Sequence, residues 1–374
     1  MEEARILIKK AALITAGVLI VVAAVVFYMI DDRLDDMEID TSNIIVPDRD
    51  NDLNTPIEPL SSLDSKAEEE PEDFYTLLIG LDQRGSDFTL NTDSLIVAHV
   101  IPQTQSIKLI SIPRDQKVLN HKGDNAKINA IFAEGYQAAL LEARKKPELL
   151  SGKRVKIGQF NIHEEYISSG ISNLRETLDR YLGVKIKYSY LINFETVVEL
   201  VDAVGGVEIN VDRTMRYTAQ FDGTSIHLDK GLQLLDGRNA LNYSRHRLDD
   251  RGTAYESSDF DRGRRQQEVI TALVKKIASW NSLTKAMGLL DIITSNVKTD
   301  MKRTKMISLV RDFYGELNSE SIVSIPYPGE WVYPYVVVKP DLLEATLKQF
   351  TSVEKAKDPS TDHLSSSDSN NKHP

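Results

Sequence analysis

The sequence predicts an α/β layered fold that follows a single transmembrane helix. Strand-like and helix-like segments alternate along most of the chain, which is the pattern of a sheet covered by helices. One uncharged apolar run near the N-terminus is long enough to span a bilayer. The chain has 374 residues, a net charge of −11 and no cysteine. This length suffices for a sizeable core, and the missing cysteines exclude disulfides, thiol catalysis and cysteine-based metal sites.

The apolar run at 11–30 predicts an uncleaved, single-pass membrane anchor. Basic residues precede it within 1–10 and aspartates follow it, so the positive-inside rule places 1–10 in the cytoplasm and the rest outside a bacterial cell membrane. A cleaved signal peptide is the competing interpretation, but the run is long and lacks a small-x-small cleavage site. The acidic balance argues against nucleic acid as a partner, because that needs a basic surface.

Two polar segments flank the predicted folded domain at 74–350. Residues 31–73 are rich in Asp, Glu, Ser, Asn and Pro, and predict an acidic, flexible stalk. Residues 351–374 are similarly polar and predict a disordered tail. Between these segments the sequence shows neither an internal repeat nor a second linker, so we expect one continuous domain.

Three predicted strands open the domain: Phe74–Asp82, Ser94–Ile101 and Ser106–Pro113. Their nearly continuous apolar character indicates strands covered on both faces, and the short turn between the last two fits a hairpin. In an antiparallel meander, the end of the first strand, the start of the second and the end of the third meet at one sheet edge. Five charged residues should therefore converge there: Asp82, Arg84, Asp93, Arg114 and Asp115.

The remaining elements follow from apolar spacing and stop signals. Helices are predicted at Lys127–Ala143, Glu164–Leu182, Asn193–Val204, Arg262 to about Trp280, Thr304–Leu317 and Asp341–Phe350. Strands are predicted at Val207–Val211, Ala240–Arg247, Ser321–Pro326 and Tyr335–Val338. The pair Gly205–Gly206 predicts the end of the third helix.

The stretch Tyr243–Gln267 concentrates guanidinium charge within an acidic protein. Six arginines and no lysine lie between positions 245 and 265, and arginine is preferred where rigid, bidentate contacts to phosphate are made. If Ala240–Arg247 is a strand, Arg245 and Arg247 project from one face and form a double fork for a di-anion. A solvent-exposed strand with ordinary charges is the alternative.

The predicted helix that follows strengthens the case for an anion site. Asp259 or Asp261 can cap its N-terminus, and Arg262 and Gln266 are four residues apart and share one face. Arg265 sits beside them. The start of a helix also favours an anion through its dipole and free N–H groups.

The carboxylates at the predicted sheet edge suit a hard divalent cation. Mg²⁺ binds through one or two carboxylates together with phosphate oxygens and water, and Asp82 and Asp93 would supply the carboxylates. The cation would neutralise a pyrophosphate that the carboxylates would otherwise repel. The alternative is that each carboxylate pairs with a nearby arginine, because Arg84 and Arg114 are close in sequence.

Seven segments together resemble one known family. They are LLIGLDQR (Leu77–Arg84), NTDSLIV (Asn91–Val97), ISIPRD (Ile110–Asp115), KINAIFAEG (Lys127–Gly135), VDAVGGVEINV (Val201–Val211), GLQLLDGRNALNYSRHR (Gly231–Arg247) and DFDRGRRQQEVI (Asp259–Ile270). In this order the chain is similar to the LytR-CpsA-Psr family of bacterial cell-envelope proteins over roughly Phe74–Phe350. The resemblance implies α-β-α layers around a central mixed sheet.

The resemblance also implies a function, a phosphotransferase outside the membrane. Such proteins transfer an anionic glycopolymer, wall teichoic acid or similar, from an undecaprenyl-pyrophosphate-linked precursor to peptidoglycan, forming a phosphodiester. Two other functions stay open: a pyrophosphatase with water as acceptor, and a non-enzymatic, lipid-binding envelope regulator.

Site residues are carried over by motif position. The resemblance assigns Mg²⁺ to Asp82 and Asp93, and catalytic roles to these two with Arg114, Arg245 and Arg247. Pyrophosphate binding falls to Arg114, Arg245, Arg247 and Arg262, with Asp259 and Gln266 as further polar positions and Arg84 and Lys127 in support. An apolar channel between sheet and helices would hold the prenyl tail.

One segment departs from the family pattern. The run SSDFDR has Ser258 and Asp261 where the family usually has glycines, and it follows the long loop Leu248–Ser258. These differences put acceptor access and the geometry of the helix start in question. His227 and His246 are interpreted as ordinary polar histidines, and a carboxylate of the Mg²⁺ site as the proton acceptor.

Overall fold

The computed structural model describes residues 34, 37–45, 72–81, 90, 92–157, 160–219, 223–278, 283–313 and 321–353. The predicted anchor at 11–30, most of the predicted stalk and tail, and the site residues Asp82 and Arg84 lie outside these residues. Within the described part of the chain, no helix has the length and apolar character that crossing a membrane requires.

Strands and helices interleave through the described chain as predicted. The strands are β1 (Phe74–Leu81), β2 (Thr92–Ile101), β3 (Ser106–Ser111), β4 (Lys117–Leu119), β5 (Asn125–Lys127), β6 (Arg154–Ile157), β7 (Phe160–His163), β8 (Ile186–Asn193), β9 (Val207–Val211), β10 (Met215–Thr218), β11 (Ser225–Leu228), β12 (Gly231–Leu235), β13 (Val297–Thr299), β14 (Ile322–Ile325), β15 (Glu330–Val332) and β16 (Tyr335–Val337). The helices are α1 (Ile128–Lys145), α2 (Glu164–Leu182), α3 (Phe194–Ala203), α4 (Gly237–Arg245), α5 (Asp259–Ala278), α6 (Leu283–Asn296), α7 (Arg303–Phe313) and α8 (Pro340–Thr351).

A central six-stranded sheet has the order β13-β8-β1-β2-β3-β14. β1, β2 and β3 form the predicted antiparallel meander. β8 and β14 add in parallel to β1 and β3, and β13 pairs antiparallel with β8. The sheet is therefore mixed, which confirms the predicted α/β fold class.

Helices cover both faces of this sheet, because successive strand residues point to opposite sides. In β2, Leu95 and Val97 belong to the large core that also contains Phe132 of α1 and Ile167 of α2. Ile96 and Ala98 belong to the opposite face, against which Ile270 of α5 packs. The strand is apolar along its length because both faces are covered.

A second core lies beside the sheet, where α3, α4 and α5 meet the hairpin of β9 and β12. Its buried side chains include Val201, Ile209, Tyr243 and Val269. Tyr243, the first residue of the arginine-rich stretch, is part of this core together with Val269 of α5, so the core fixes how α4 and α5 present their polar side chains.

The predicted strand at Ala240–Arg247 is wrong, because Gly237–Arg245 forms the helix α4. The Asp236 side chain accepts a hydrogen bond from the Asn239 backbone N–H at 2.8 Å and caps the helix. Arg245 ends the helix and Arg247 follows it, so the two guanidiniums do not project from one face of a strand.

The predicted flexible stalk is also wrong for its described part, residues 37–45, which contact the domain. The Ile39 N–H donates to the Thr299 carbonyl at 2.8 Å, and the Thr299 N–H donates to the Met37 carbonyl at 2.9 Å. The Ile45 N–H donates to Ser169 Oγ at 3.1 Å. These bonds, with burial of Met37, Ile39 and Ile45, explain why the segment is not extended away from the domain.

The C-terminal helix α8 is held by two buried polar side chains of the sheet. Lys108 Nζ donates to the carbonyls of Gln349 and Ser352 at 2.9 and 2.6 Å. His99 Nδ1 lies 2.9 Å from the Phe350 carbonyl. The positive charge of Lys108 also interacts favourably with the negative end of the helix dipole at the C-terminus of α8. The fold therefore continues to Ser352, two residues beyond the predicted domain end at 350.

Candidate active site

A cavity of about 330 Å³ lies where the start of β2, the end of β3 and the N-terminal turns of α5 meet β14. Its polar lining includes Asp93, Ser94, Arg114, Asp259, Arg262 and Gln266. Five of these, all except Ser94, are predicted site residues from three separate segments, and the meander brings Asp93 and Arg114 to one edge as expected. Gln266 and Asp259 come from the same helix, seven residues apart, on the side that faces the sheet.

Arg114 stands just beyond the end of β3 and is surrounded by three carboxylates. Its Nη1 lies 3.5 Å from Asp93 Oδ1, and its Nε lies 3.7 Å from Asp259 Oδ1 and 3.9 Å from Asp115 Oδ2. These separations are long for hydrogen bonds, so the contacts are mainly electrostatic. Arg114 is thus attracted to its neighbours without being bound tightly to any of them.

Arg262 is held more firmly from the first turn of α5. Its Nη1 donates to Asp259 Oδ1 at 3.0 Å and its Nη2 donates to the Asp93 carbonyl at 3.1 Å. Its side chain is only 9% exposed, and this burial lowers the pKa of the guanidinium, although arginine remains charged at neutral pH. The same Asp259 oxygen therefore faces both arginines.

The Nε atoms of Arg114 and Arg262 are buried and have no hydrogen-bond partner among the described residues. Buried polar groups are almost always paired, so two orphaned donors on adjacent guanidiniums require an explanation. An oxyanion in the cavity would accept hydrogen bonds from these two guanidiniums and so complete their pairing.

Polar bonds seat the first turns of α5 directly on the sheet. Ser94 Oγ donates to Gln266 Oε1 at 2.9 Å, and Gln267 Nε2 donates to Ser111 Oγ at 2.7 Å. Ser111 Oγ in turn donates to the Gly263 carbonyl at 3.2 Å. A Cβ on Gly263 would stand 2.8 Å from Ser111 Cβ, so only glycine permits this approach. Gln266 therefore lies in the site as predicted, and it is fixed by Ser94.

Apolar side chains form another part of the cavity wall. Leu95, Ile112 and Ile325 line it from the sheet, and the rings of Phe260 and Tyr327 stack with centroids 6.5 Å apart. Tyr327 donates to Gln116 Oε1 at 2.6 Å, and burial raises the pKa of its hydroxyl well above the usual value. A polar mouth with paired arginines next to an apolar wall suits an amphiphilic ligand.

Lys127 lies next to this site and does not line the cavity. Its Nζ is 2.7 Å from Asp115 Oδ1, and Asp115 is the buried residue that follows Arg114. The lysine therefore neutralises Asp115, which would otherwise compete with a bound anion for Arg114. This contact agrees with the supporting position that the resemblance implied for Lys127.

Arg245 and Arg247 stand apart from the cavity lining. The guanidinium carbon of Arg245 lies 5.0 Å from the centroid of the Phe194 ring. Phe194 also abuts Gly80 near the end of β1, where an added Cβ would be 3.3 Å from the ring. Arg245 is thus placed near the same sheet edge as Leu81, the residue before Asp82. The Arg247 carbonyl accepts from the Ser257 N–H at 2.8 Å.

Three arginines of the predicted cluster are engaged in ion pairs. Arg265 is fully buried, and its Nε and Nη2 donate to the two Asp212 oxygens at 3.0 and 2.9 Å. Arg264 bonds Asp212 as well, at 2.8 Å. Arg251 bonds both oxygens of Asp249. The prediction that Arg265 sits beside Arg262 at the site is wrong, because its side chain turns toward the second core.

The oxygen donors of the cavity could supply only some of the ligands of a magnesium ion, and phosphate oxygens and water would supply the others. The described residues contain no cluster of three or more His, Cys, Asp or Glu side chains that would cage a metal. Asp93 and Asp259 offer hard carboxylate oxygens, which suits a cation completed by phosphate oxygens and water. Asp82, the second predicted ligand, lies outside the described residues.

Sequence analysis missed several residues of the cavity wall, chiefly Phe260, Gly263, Gln267 and Tyr327. The helical spacing of Asp259, Gly263, Gln266 and Gln267 was a usable signal for two of these positions, Gly263 and Gln267. No sequence signal pointed to Tyr327, because β14 reaches the site only through its parallel pairing with β3.

Comparison with known proteins identifies the relatives of this chain. The profile of the LytR_cpsA_psr family matches residues 47–352. The chain belongs to this family. The polyisoprenyl-teichoic acid–peptidoglycan teichoic acid transferase TagU of Bacillus mycoides (strain KBAB4) is 31% identical over 68% of this chain and 68% of its own length. TagU of Bacillus cereus (strain ATCC 14579) is 31% identical over 71% of this chain and 74% of its own.

A crystal structure of Bacillus subtilis TagV resembles this LytR_cpsA_psr protein in fold. Its TM-score is 0.54 at 23% identity, covering 75% of this chain and 97% of the TagV chain. The similarity supports the α/β fold with a central mixed sheet. The resemblance that the sequence segments indicated is confirmed by the family profile and the TagU relatives.

Proposed function

We propose that this protein transfers an anionic glycopolymer of the wall teichoic acid type from a polyprenyl-pyrophosphate-linked precursor to peptidoglycan. The TagU relatives are teichoic acid transferases by name, and their matches span about two thirds of the chain or more. The match includes the segments that contribute Arg114 and Arg262 to the cavity. The proposal thus combines the activity of the relatives with a site that suits its donor substrate.

The observation that carries the proposal is the pair of adjacent guanidiniums with orphaned Nε atoms at an apolar cavity. Arg114 and Arg262 would bind the pyrophosphate, and the wall of Leu95, Ile112 and Phe260 would contact the first isoprene units. A lipid pyrophosphate has a charged head group joined to an apolar chain, and so it matches a cavity that has arginines next to apolar side chains. Free pyrophosphate or a sugar phosphate would leave the apolar wall without a partner.

The transfer needs positioning and charge neutralisation more than covalent catalysis. An acceptor hydroxyl oxygen forms a bond to the phosphorus that carries the polymer, and the bridging P–O bond to the lipid phosphate breaks. The electrons of that bond leave with the polyprenyl phosphate, and the hydroxyl proton passes to a nearby carboxylate or to water. Arg114 and Arg262 stabilise the charge that develops on the phosphoryl oxygens.

Magnesium is part of the proposal because the charges that line the cavity already balance. Three aspartates face three arginines there, namely Asp93, Asp259 and Asp261 with Arg114, Arg262 and Arg264. A pyrophosphate adds further negative charge, which a divalent cation would neutralise. Asp93 would hold the cation together with phosphate oxygens and with Asp82, the second ligand that the family resemblance implies, and the cation would polarise the reacting phosphoryl group.

The cellular location belongs to the same proposal. The apolar run at 11–30 would anchor the chain in a bacterial cell membrane by a single pass, with the N-terminus in the cytoplasm. The domain would then lie outside, where both a lipid-linked precursor and peptidoglycan are found, and nucleic acid would not be a partner.

Transfer by the full-length protein tests the proposal. With a polyprenyl-pyrophosphate-linked teichoic acid precursor, uncrosslinked peptidoglycan and Mg²⁺, Arg114→Ala should reduce transfer about 100-fold to 1000-fold, as expected for one lost transition-state donor. Arg262→Lys, which keeps the charge and loses the fork, should also be strongly impaired. Arg238→Ala is the matched control, because this arginine of α4 forms an exposed ion pair with Glu195 of α3.

Two results would contradict parts of the proposal. Full transfer by Arg114→Ala would remove the arginine pair from the mechanism, and release of free phosphorylated polymer with acceptor present would indicate hydrolysis instead. Chelation by EDTA should abolish transfer and added Mg²⁺ should restore it. Undiminished transfer in EDTA would refute the role of the metal while leaving the transferase intact.

A further inference from the structure

An exposed aromatic hairpin stands beside the candidate active site. Its strands are β15 and β16, and the three residues Trp331, Val332 and Tyr333 at its tip are 48%, 50% and 87% exposed. Isolated apolar residues on a surface are ordinary. Three consecutive exposed apolar residues on one hairpin form a patch, and exposed apolar patches often mark binding surfaces. We call Glu330–Val337 the aromatic hairpin.

The aromatic hairpin is bonded to the segment that follows Arg114. The Val336 N–H donates to the Asp115 carbonyl at 2.8 Å, and Gln116 forms a β-bridge with Val336. Gln116 in turn accepts a hydrogen bond from Tyr327, which lines the cavity. The hairpin therefore has a fixed position relative to the paired arginines.

Two lysines lie over aromatic rings of the hairpin. Lys127 Nζ lies 5.7 Å from the centroid of the Trp331 ring, and Lys117 Nζ lies 5.8 Å from that of Tyr335. Lys127 also contacts Asp115, which contacts Arg114. A chain of contacts thus runs from Trp331 through Lys127 and Asp115 to the cavity. Aromatic faces flanked by ammonium groups suit a pyranose that also carries carboxylates.

We propose that the aromatic hairpin binds the acceptor, a peptidoglycan glycan strand, with sugar faces on Trp331 and Tyr333 and its carboxylates near Lys117 and Lys127. This inference rests on the proposed function. In phosphoryl transfer the attacking and leaving oxygens lie roughly in line. The leaving lipid phosphate would occupy the apolar cavity, so the acceptor would approach from the opposite side of Arg114. Asp115, Lys127 and the aromatic hairpin are linked to Arg114 by contacts and do not line that cavity, which leaves the hairpin to the acceptor.

Binding to purified peptidoglycan sacculi, freed of teichoic acid, tests the proposal without requiring catalysis. The full-length protein in detergent should cosediment with sacculi, and Trp331→Ala and Tyr333→Ala should each weaken binding on the order of tenfold. Trp331→Phe should keep most of the affinity. Leu232→Ala is the control, because this residue of β12 is an equally accessible apolar side chain at 73% exposure. Unchanged cosedimentation of both alanine variants would overturn the proposal.

Transfer kinetics give a second, separable measurement. In Trp331→Ala the KM for the acceptor should rise on the order of tenfold, while the KM for the lipid-linked donor stays unchanged. A rise in the donor KM alone would overturn acceptor binding. If the wild-type protein transfers nothing, the proposed function fails, and the sacculus experiment still decides what the hairpin binds.

The alternative is that the aromatic hairpin contacts the membrane surface. A Trp280→Phe background leaves Trp331 as the sole tryptophan, because the chain has two. In vesicles of brominated phosphatidylglycerol and phosphatidylcholine, its fluorescence should escape quenching and should change when soluble glycan-strand fragments are added. Strong quenching by the brominated lipid, with no response to the fragments, would show a membrane contact and overturn the proposal.

Discussion

His246 is the centre of a buried polar cluster that holds the long loop before α5. Its Nε2 lies 3.3 Å from Asp249 Oδ2, and its Nδ1 lies 2.7 Å from Ser257 Oγ. A carboxylate only accepts, so Nε2 carries the hydrogen and Nδ1 accepts from the serine hydroxyl. Ser257 also accepts from Arg265 at 2.9 Å. The three residues are buried and no substrate reaches them, so the Ser-His-Asp grouping stabilises the loop and is not a nucleophilic triad.

The charge state of His246 should make the stability of the protein depend on pH. Burial and the guanidinium of Arg265 lower the pKa of His246 below its ordinary value of 6.5, against the opposing effect of Asp249. Between the lowered and the ordinary pKa the unfolded chain binds a proton that the folded chain does not. The free energy of unfolding should therefore fall as the pH decreases through the ordinary pKa of 6.5. Thermal unfolding midpoints above and below this pKa measure the effect.

The matched variants are His246→Gln and His227→Gln. His227 is exposed on β11, so its replacement should leave the pH profile unchanged. His246→Gln should flatten the profile and lower stability at neutral pH by about 1–3 kcal/mol through lost buried hydrogen bonds. Equal slopes for the wild type and His246→Gln would show that another group controls the acid sensitivity.

At the scale of single elements, α5 depends on a close approach to β3. Gly263 and Ser111 are the contact point, and a methyl group on Gly263 would stand 2.8 Å from Ser111 Cβ. Gly263→Ala should push the helix away from the strand and cost roughly 1–3 kcal/mol of stability. Because Arg262 and Gln266 move with the helix, transfer activity should fall as well. Thermal unfolding and the transfer assay measure the two effects.

Gly288→Ala on α6 is the matched control for that substitution. Both glycines are helical, but no described atom lies within 4 Å of a Cβ at Gly288. Alanine there should raise stability by about 0.4–1 kcal/mol by restricting the unfolded chain, with activity unchanged. A loss of stability at Gly288 equal to that at Gly263 would mean that the Ser111 contact is not the cause.

The elements differed in how far the sequence predicted them. The meander of β1, β2 and β3 was predictable because each strand is a single apolar run with a short connection. The helix α4 was missed because eight residues that alternate, Ala240–Arg247, satisfy a strand pattern and a helix pattern alike. Its N-cap at Asp236 was the deciding signal. The sequence could not show which arginines line the cavity and which form ion pairs elsewhere. Asp212, the partner of Arg265, is 53 residues away in sequence.

At the scale of the whole molecule, residues 37–45 form a strap that joins two distant parts of the domain. The strap bonds to Thr299 at the end of β13 and to Ser169 on α2. The Asp40 N–H also donates to Glu164 Oε1 at 3.0 Å. Sequence alone missed this, because the few apolar residues of the strap have no regular spacing and their partners lie more than a hundred residues away. If 11–30 is the membrane anchor, the strap limits how the domain can turn relative to the membrane.

The strap provides a comparison within one segment, since Ile39 is 2% exposed and Ile44 is 38% exposed. Ile39→Ala should remove buried methyl groups from the large core and lower the free energy of unfolding by about 2–4 kcal/mol. Ile44→Ala removes the same atoms from a partly solvated site and should cost less than about 1 kcal/mol. Thermal unfolding of the full-length protein, with limited proteolysis of the strap, measures both. If the two variants are equally stable, the strap does not contribute to the core, and residues 37–45 would act as the flexible connection that their composition predicts.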